Sequence, residues 1–397
     1  MPCSFNPKLP FQRKSQRFEE VLIIGIELLA DEIGKSGCLT FHRNLVHWLG
    51  RLASGETYYI VLYSGEYQDL LKYSSNNGAV SLIDIGQRGS VLKRLFDQYF
   101  KVPKLFKKAG VTKVFSDNVV PFSNRGVEYY YRVIVTQQFH NEFPQNIPRR
   151  LFKRFATQYA CKKSKLVIAN SNYTKSEISR FCKTPLEKIK VVLEAADLSK
   201  FSSTEVNDKV RELLRGKYGI GGDYVIQVSG LFDHKNPLVS IKVLAQLSRR
   251  GMDIDLVLVG GDPLNNWPRY SKFAERLGVK NKVHYLGFVL PEDLNLLYNA
   301  SVCLLYPSVS ETFGIPPLEA MACGVCVVGS TESAVPEVIA DGGVTCDPTN
   351  IDCMADYVTR IYLDKEFKSA LVSRGEERLK GFSWQKSVRE IRELLFI

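Results

Sequence analysis

Residues 302–324 read VCLLYPSVSETFGIPPLEAMACG. Val302–Ser308 is an apolar run of strand length, and Pro316–Cys323 is rich in helix formers, so the stretch predicts strand, loop and helix in that order. Proline suits the first turn of a helix, where its missing N–H is not needed, so Pro316 and Pro317 set the helix start. The same unit repeats around it. Strands are expected at Asp223–Gly230, Ile254–Gly261, Lys282–Val289 and Val325–Ser330, each followed by a helical stretch. Such alternation predicts a parallel sheet covered by helices.

The first half follows the same plan. Val21–Leu29, Tyr58–Ser64, Arg132–Phe139, Lys165–Ser171 and Ile189–Ala195 read as strands. Leu39, Leu45, Trp48, Leu49 and Leu52 lie close to helical spacing. Ser171 or Thr174 can cap a following helix, and Thr174 with Glu177 fits a capping box. Residues 200–222 are rich in serine and glycine and mark a junction. The expected organisation is α/β, with two Rossmann-like, doubly wound domains facing across a cleft. Residues 1–202 form the first and residues 203–382 the second, and a C-terminal helix over 383–397 is expected to pack back on the first. Ligands of such sheets bind at the carboxyl ends of the strands.

Of the 397 residues, 45% are hydrophobic and 24% charged, a globular balance. No apolar run approaches the roughly 20 residues that span a bilayer, and the first residues, MPCSFNPKLPFQRKSQRF, lack the apolar stretch of a secretory signal. A cytoplasmic protein is expected, with a peripheral place on the inner face of a membrane left open. The net charge of +11 is uneven: residues 1–200 hold 31 Lys+Arg against 17 Asp+Glu, and residues 201–397 hold 22 against 25. Lys93–Lys108 and Arg149–Lys165 interleave cations with Phe, Leu and Tyr, which suits either an anionic membrane surface or an ordinary helix with a solvated basic face. No nucleic-acid motif accompanies the charge. Nine cysteines, an odd number, argue against a disulfide framework. Cys323 and Cys326 form a CxxC without a second half-site, so packing at a helix-to-strand turn explains them better than a metal does.

The loop after Val302–Ser308 falls where ligands bind. Gly314 lets backbone approach a ligand closely, and the free amides and dipole of a helix start favour an anion such as phosphate. Glu319, in the first turn, can accept from a ribose diol, and Glu311 from hydroxyls on whatever the phosphate carries. A nucleotide-sugar has those parts. Equally, Glu319 can simply complement the helix dipole. The pair also has the look of a glycosidase acid and base, but that reading leaves Lys235 and the helix start unused. Gly34-Lys35-Ser36 lacks the upstream glycine of a P-loop. Asp253-Ile254-Asp255 is explained by strand alternation.

ETFGIPPLEAMACG resembles the E-x7-E signature of the retaining glycosyltransferase family 4, which has the GT-B fold. VIQVSGLFDHKNPLVSIKVLAQL, LVLVGGDP, KVHYLGFVLPEDLNLLYNAS, VPEVIADGG, SKLVIANSNYTKSEI and VVLEAADLSKF are similar to other family segments, in family order. The resemblance implies transfer of a hexose from a nucleotide-diphosphate sugar, GDP-mannose or a UDP-hexose, to a glycan or lipid-linked acceptor, with retention and with no metal or other cofactor. It implies Lys235 on the donor diphosphate beside Gly230, Glu319 on ribose, and Glu311 near the sugar hydroxyls. Phe313, Gly314 and Ile315 would offer backbone amides. His140 is the candidate near the reacting carbon, with Gln138 in the family's slot and Gly37 on the glycine loop of the acceptor side. Three departures stand out. No arginine follows Gly230, and His234 could partly replace it. Glu194-Ala195-Ala196 stands where the family has Asn-Gly-Val. Cys326 replaces a frequent proline. A nucleotide-sugar 2-epimerase or a non-catalytic basic binding protein on the same plan are the rival expectations.

Overall fold

A computed structural model describes residues 22–29, 37–74, 78–123, 126–140 and 147–397. The expected strand Val21–Leu29 appears as β1 (Ile23–Glu27), and the Gly34–Ser36 tripeptide lies outside the described residues. The first sheet adds β2 (Thr57–Leu62), β3 (Val80–Asp84), β4 (Lys113–Ser116), β5 (Glu128–Arg132), β6 (Leu166–Ala169) and β7 (Ile189–Val191), in the order β3-β2-β1-β4-β5-β6-β7. The second holds β8 (Asp223–Val228), β9 (Ile254–Val259), β10 (Val283–Gly287), β11 (Leu304–Tyr306), β12 (Val327–Ser330) and β13 (Val344–Cys346), in the order β10-β9-β8-β11-β12-β13. Adjacent strands in both sheets run parallel. Both orders reverse direction once, between β1 and β4 and between β8 and β11. That is the doubly wound plan, and its crevice opens at those two points.

Burial on both faces explains the near-continuous apolar strands. In β8 and β9 the buried Tyr224, Val225, Ile226, Leu256, Val257 and Leu258 serve opposite faces in turn. The helix Pro237–Arg249 covers one face with Val239, Ile241, Val243, Leu244 and Leu247, all buried. Each such side chain contributes about 1.5–3 kcal/mol by leaving water. The last helix, Trp384–Phe396, crosses to the first domain. Trp384 packs edge-on against Phe41, Ser387 Oγ donates to the carbonyl of Leu193, and Arg392 pairs with Glu56.

Two expectations need correction. Arg132–Phe139 is not a strand: β5 ends at Arg132, and Gln137–Phe139 is a 3-10 turn. Its neighbours stop at the same level, with Ser116 opposite Tyr131 and Ile168 opposite Arg132, so the chain soon runs out of ladder partners. Among the described residues the cysteines form one bridge, Cys346–Cys353, with Cα atoms 6.1 Å apart. Asn350 caps the helix Ile351–Leu363 by accepting from the Cys353 N–H, and this tight turn folds the helix start back onto the end of β13. One bridge on one turn is not a framework, and Cys323 and Cys326 are free and buried.

Candidate active site

The loops after β8 and β11 flank the switch point of the second sheet, and they hold Lys235 and Glu311. Lys235 Nζ lies 2.6 Å from both carboxylate oxygens of Glu311. Tyr306, buried at the end of β11, donates its hydroxyl to Oε1 at 2.5 Å, and Ser333 Oγ accepts from the Glu311 N–H at 2.9 Å. Burial by itself would raise the Glu311 carboxyl, but the Lys235 ammonium and the Tyr306 hydroxyl outweigh it and hold the group below its ordinary value. Glu311 is therefore an anion at neutral pH, positioned before any ligand arrives. Ser308 Oγ and the Val309 N–H both donate to the carbonyl of His234, which ties the two loops together.

The helix begins at Pro316, as the proline pair requires. Gly314 just before it has φ +100°, where a side chain is strained, and a Cβ there would press on the Tyr306 ring at 3.4 Å. Among the described residues, no acceptor takes the N–H groups of Phe313, Gly314 or Ile315. Open amides at a helix start are available to an anion or to hydroxyls. The Phe313 ring is buried edge-on against Phe382, so this residue can offer a ligand only its backbone. Glu319, half-buried, accepts from Tyr298 Oη at 3.0 Å. Its carboxyl is pushed up to about 7, first by burial and then by the nearby Asp197, with the Tyr298 hydroxyl opposing.

Gly230 also lies at this edge, where a Cβ would meet the Phe232 ring at 2.8 Å. Gly260, which in the sequence is merely the end of a strand, is more constrained. It has φ +141°, and a Cβ there would sit 2.1 Å from the carbonyl oxygen of Ser229. The Leu-Val-Gly-Gly run ending β9 was its signal. His234 does not replace the missing arginine as a cation. It stacks on Phe232 at 5.4 Å, and burial followed by Lys235 pushes its imidazole down to about 4, so it is neutral at pH 7.

The first domain presents a different edge. Gln138 is buried and donates to the Val135 carbonyl at 2.9 Å and to Thr157 Oγ1 at 3.3 Å. His140 Nε2 lies 2.5 Å from Glu177 Oε2, and its ring meets Phe181 edge-on. These partners all belong to the first domain. Gly37 opens the helix Gly37–Leu52. At this sheet's own switch point stands a buried polar group that no sequence motif marked. His42 Nε2 meets Asp117 Oδ2 at 2.8 Å, and Glu27 Oε2 accepts from Ser116 Oγ at 3.2 Å. The Glu27 carboxyl is pushed up to about 8, by burial first and by Asp117 second. Glu27, which interrupts the apolar run Val21–Leu29, was its sequence signal.

Two facing doubly wound domains with the second one's switch point built this way define the GT-B class of fold. Residues 210–378, less than half of the chain, match the model of the family Glycosyl transferases group 1. The O-antigen chain mannosyltransferase B of Escherichia coli is 30% identical over 226 residues, which cover 56% of this chain and 58% of that protein. The chain thus matches under two thirds of that relative's length. Over nearly the whole chain the fold is similar to a glycosyltransferase from Rickettsia africae ESF-5 (TM-score 0.74, 19% identity, 95% of this chain and 98% of that one). It is similar also to Anabaena Alr3699/HepE in complex with UDP and glucose (TM-score 0.73, 19% identity, 94% and 99%).

Proposed function

We propose that the protein is a glycosyltransferase of family 4 that moves a hexose, with retention, from a nucleotide-diphosphate sugar to a glycan or lipid-linked acceptor. The observation that carries this reading is the row formed by Lys235, Glu311, the three open amides and Glu319 across one switch point. In that row Glu319 takes the ribose, the amides and Lys235 take the diphosphate, and Glu311 takes sugar hydroxyls. As the glycosidic bond breaks, negative charge grows on the leaving phosphate. Lys235 and the amides stabilise it there, which is the larger part of such catalysis. The acceptor attacks from the leaving-group side, and the leaving phosphate oxygen takes its proton, so no strong protein base is required. His140 borders the acceptor side, and Gln138 and Gly37 belong to its frame. The reading needs no metal. Names of the relatives, a mannosyltransferase and a complex with UDP-glucose, leave the donor between GDP-mannose and a UDP-hexose.

A binding screen of nucleotide-sugars, followed by product analysis with membrane extract as acceptor, tests this. A nucleotide-sugar binds and its hexose appears on an acceptor. A donor consumed without an acceptor, giving an epimer, would replace the transferase reading.

The acceptor surface favours an anionic bilayer. Val91–Phe96, Asp97–Lys101 and Val102–Lys108 form one continuous helical stretch, whose π turn precedes Pro103. Leu92, Phe96, Phe100, Phe122, Leu151 and Phe155 are all more than half exposed. Phe122 joins the two basic helices, stacking on Tyr99 at 4.9 Å and meeting Tyr159 at 5.0 Å. The helix Ile147–Lys163 has no acidic residue. Among the described residues no helix is long and apolar enough to cross a membrane. Sedimentation with phosphatidylglycerol vesicles tests the surface. Binding falls with salt and in Phe96→Ser with Phe100→Ser, whereas equal binding to neutral vesicles would remove the proposal.

A further inference from the structure

Thr312, between Glu311 and Phe313, belongs to the second domain but is held by the first. Its carbonyl accepts from Ser171 Oγ at 2.6 Å and from Thr174 Oγ1 at 3.0 Å. Its own hydroxyl donates to the Ile134 carbonyl at 3.2 Å and accepts from Asn170 Nδ2 at 3.2 Å. The second Asn170 N–H goes to Glu194 Oε1 at 3.1 Å, and Glu194 is paired in turn with Arg132. Arg132, Asn170 and Glu194 are all buried.

These contacts form a closed circuit. Arg132 and Ile134 share one segment, and the bonds run Arg132 to Glu194, Asn170 to Glu194, Asn170 to Thr312, and Thr312 to Ile134. The carboxylate of Glu194 fixes which way the Asn170 amide faces, because a flipped amide would set its oxygen against an anion. Only the donor end of Asn170 is then left for Thr312. Glu194 is the first of the three residues that depart from the family's Asn-Gly-Val, and the buried Arg132 explains its charge.

A second contact lies beside the first. Ser171 caps the helix Asn172–Cys182, accepting from the Thr174 N–H at 3.0 Å while donating to Thr312. The next two amides, of Asn172 and Tyr173, donate to the Glu337 carboxylate of the other domain at 2.8 and 3.0 Å, and the Asn172 side chain joins them at 2.9 Å. An anion at a helix N-terminus meets both open N–H groups and the positive end of the dipole. Arg378 holds the backbone carbonyls of Glu337 and Val338, so the segment stays in place whatever the side chain does.

We infer that Thr312 and Glu337, closing on the start of helix Asn172–Cys182, form an interdomain clasp. Within it Thr312 is a positioning residue: docking of the first domain sets the loop that carries Glu311. The positioning role rests on the transfer reading above, but the clasp itself does not. Lys235, Glu311, the open amides and Glu319 all belong to the second domain, and Tyr306 and Ser333 of that domain also hold Glu311, so opening the clasp leaves donor binding and lowers turnover.

Two measurements on the full chain separate the claims. Amide hydrogen exchange by NMR reads the clasp without any substrate. In Glu337→Ala the Asn172 and Tyr173 amides exchange about ten- to a hundredfold faster than in wild type, the range for losing charge-assisted bonds. Unchanged exchange would overturn the clasp. In transfer assays, Thr312→Val lowers kcat about tenfold while donor KM stays within about twofold, and Thr312→Ser restores kcat. Wild-type kcat in Thr312→Val, or equal loss in both variants, would overturn the positioning role. If the wild type binds no nucleotide-sugar, the function reading fails, and the exchange result still decides the clasp.

Discussion

Both domains wind their sheets about a switch point, yet the two points are furnished differently. In the second domain Lys235 and Glu311 pair, Tyr306 and Ser333 complete them, and the spare donors belong to backbone. In the first domain Glu27, Asp117 and His42 crowd together, and Glu27 Oε1 and His42 Nδ1 are buried without a partner among the described residues. The proposed donor side is thus satisfied in advance, with one cation and one anion fixed in place. The other side keeps its unsatisfied polar atoms buried.

The contrast is open to attack at four points. Lys235→Ala strikes the preformed side and should lower transfer by about 10²–10³-fold, the usual effect of losing a group that stabilises leaving charge. Equal turnover in the variant would put the chemistry elsewhere. Glu27→Gln probes the unsatisfied side through stability. A carboxyl raised to about 8 in the folded state contributes fully below its ordinary value of 4.5 and loses that contribution as pH rises through 8. Urea unfolding should therefore show wild-type stability falling between pH 5 and 8, by about 1.4 kcal/mol for each step of one in pH. The variant should be flatter across that window.

Glu319 gives a smaller effect of the same kind on binding. A ribose diol donates to the ionised carboxylate, which in the free protein forms as pH passes about 7. Nucleotide affinity by calorimetry should rise about tenfold from pH 6 to 8 as the ionised fraction grows, and Glu319→Gln should remove the slope. His140→Ala should do least. Its imidazole is already engaged by Glu177, so transfer should fall less than about tenfold, below the ordinary range for a general acid–base residue. A loss matching that of Lys235→Ala would erase the distinction between the two sides.

Sequence made the fold readable wherever local patterns repeat. The strand-loop-helix unit around Pro316 needed only apolar runs and two prolines. β3 and β4 escaped because Val80–Asp84 and Lys113–Ser116 are short and carry little apolar contrast. Arg132–Phe139 misled because an apolar, β-branched run continues beyond the point where neighbouring strands stop. At the site, Lys235, Glu311, Gly314 and Glu319 stood out as residue types at a strand edge and a helix start. The circuit through Arg132, Asn170, Glu194 and Thr312 could not be seen that way. Its members lie up to 180 positions apart (Arg132 to Thr312), and each alone is an ordinary polar residue. The neutrality of His234 was hidden for the same reason, since burial is set by the whole fold.

The helix Trp384–Phe396 has a consequence for synthesis. It covers Phe41 and meets Glu56, residues made more than three hundred positions earlier. A nascent chain folds its domains in order of emergence, but here the first domain leaves the ribosome with one face bare. That face stays open through translation of the entire second domain. Premature termination anywhere before Trp384 would therefore damage the oldest part of the molecule, and a chaperone would have its longest-lived target there.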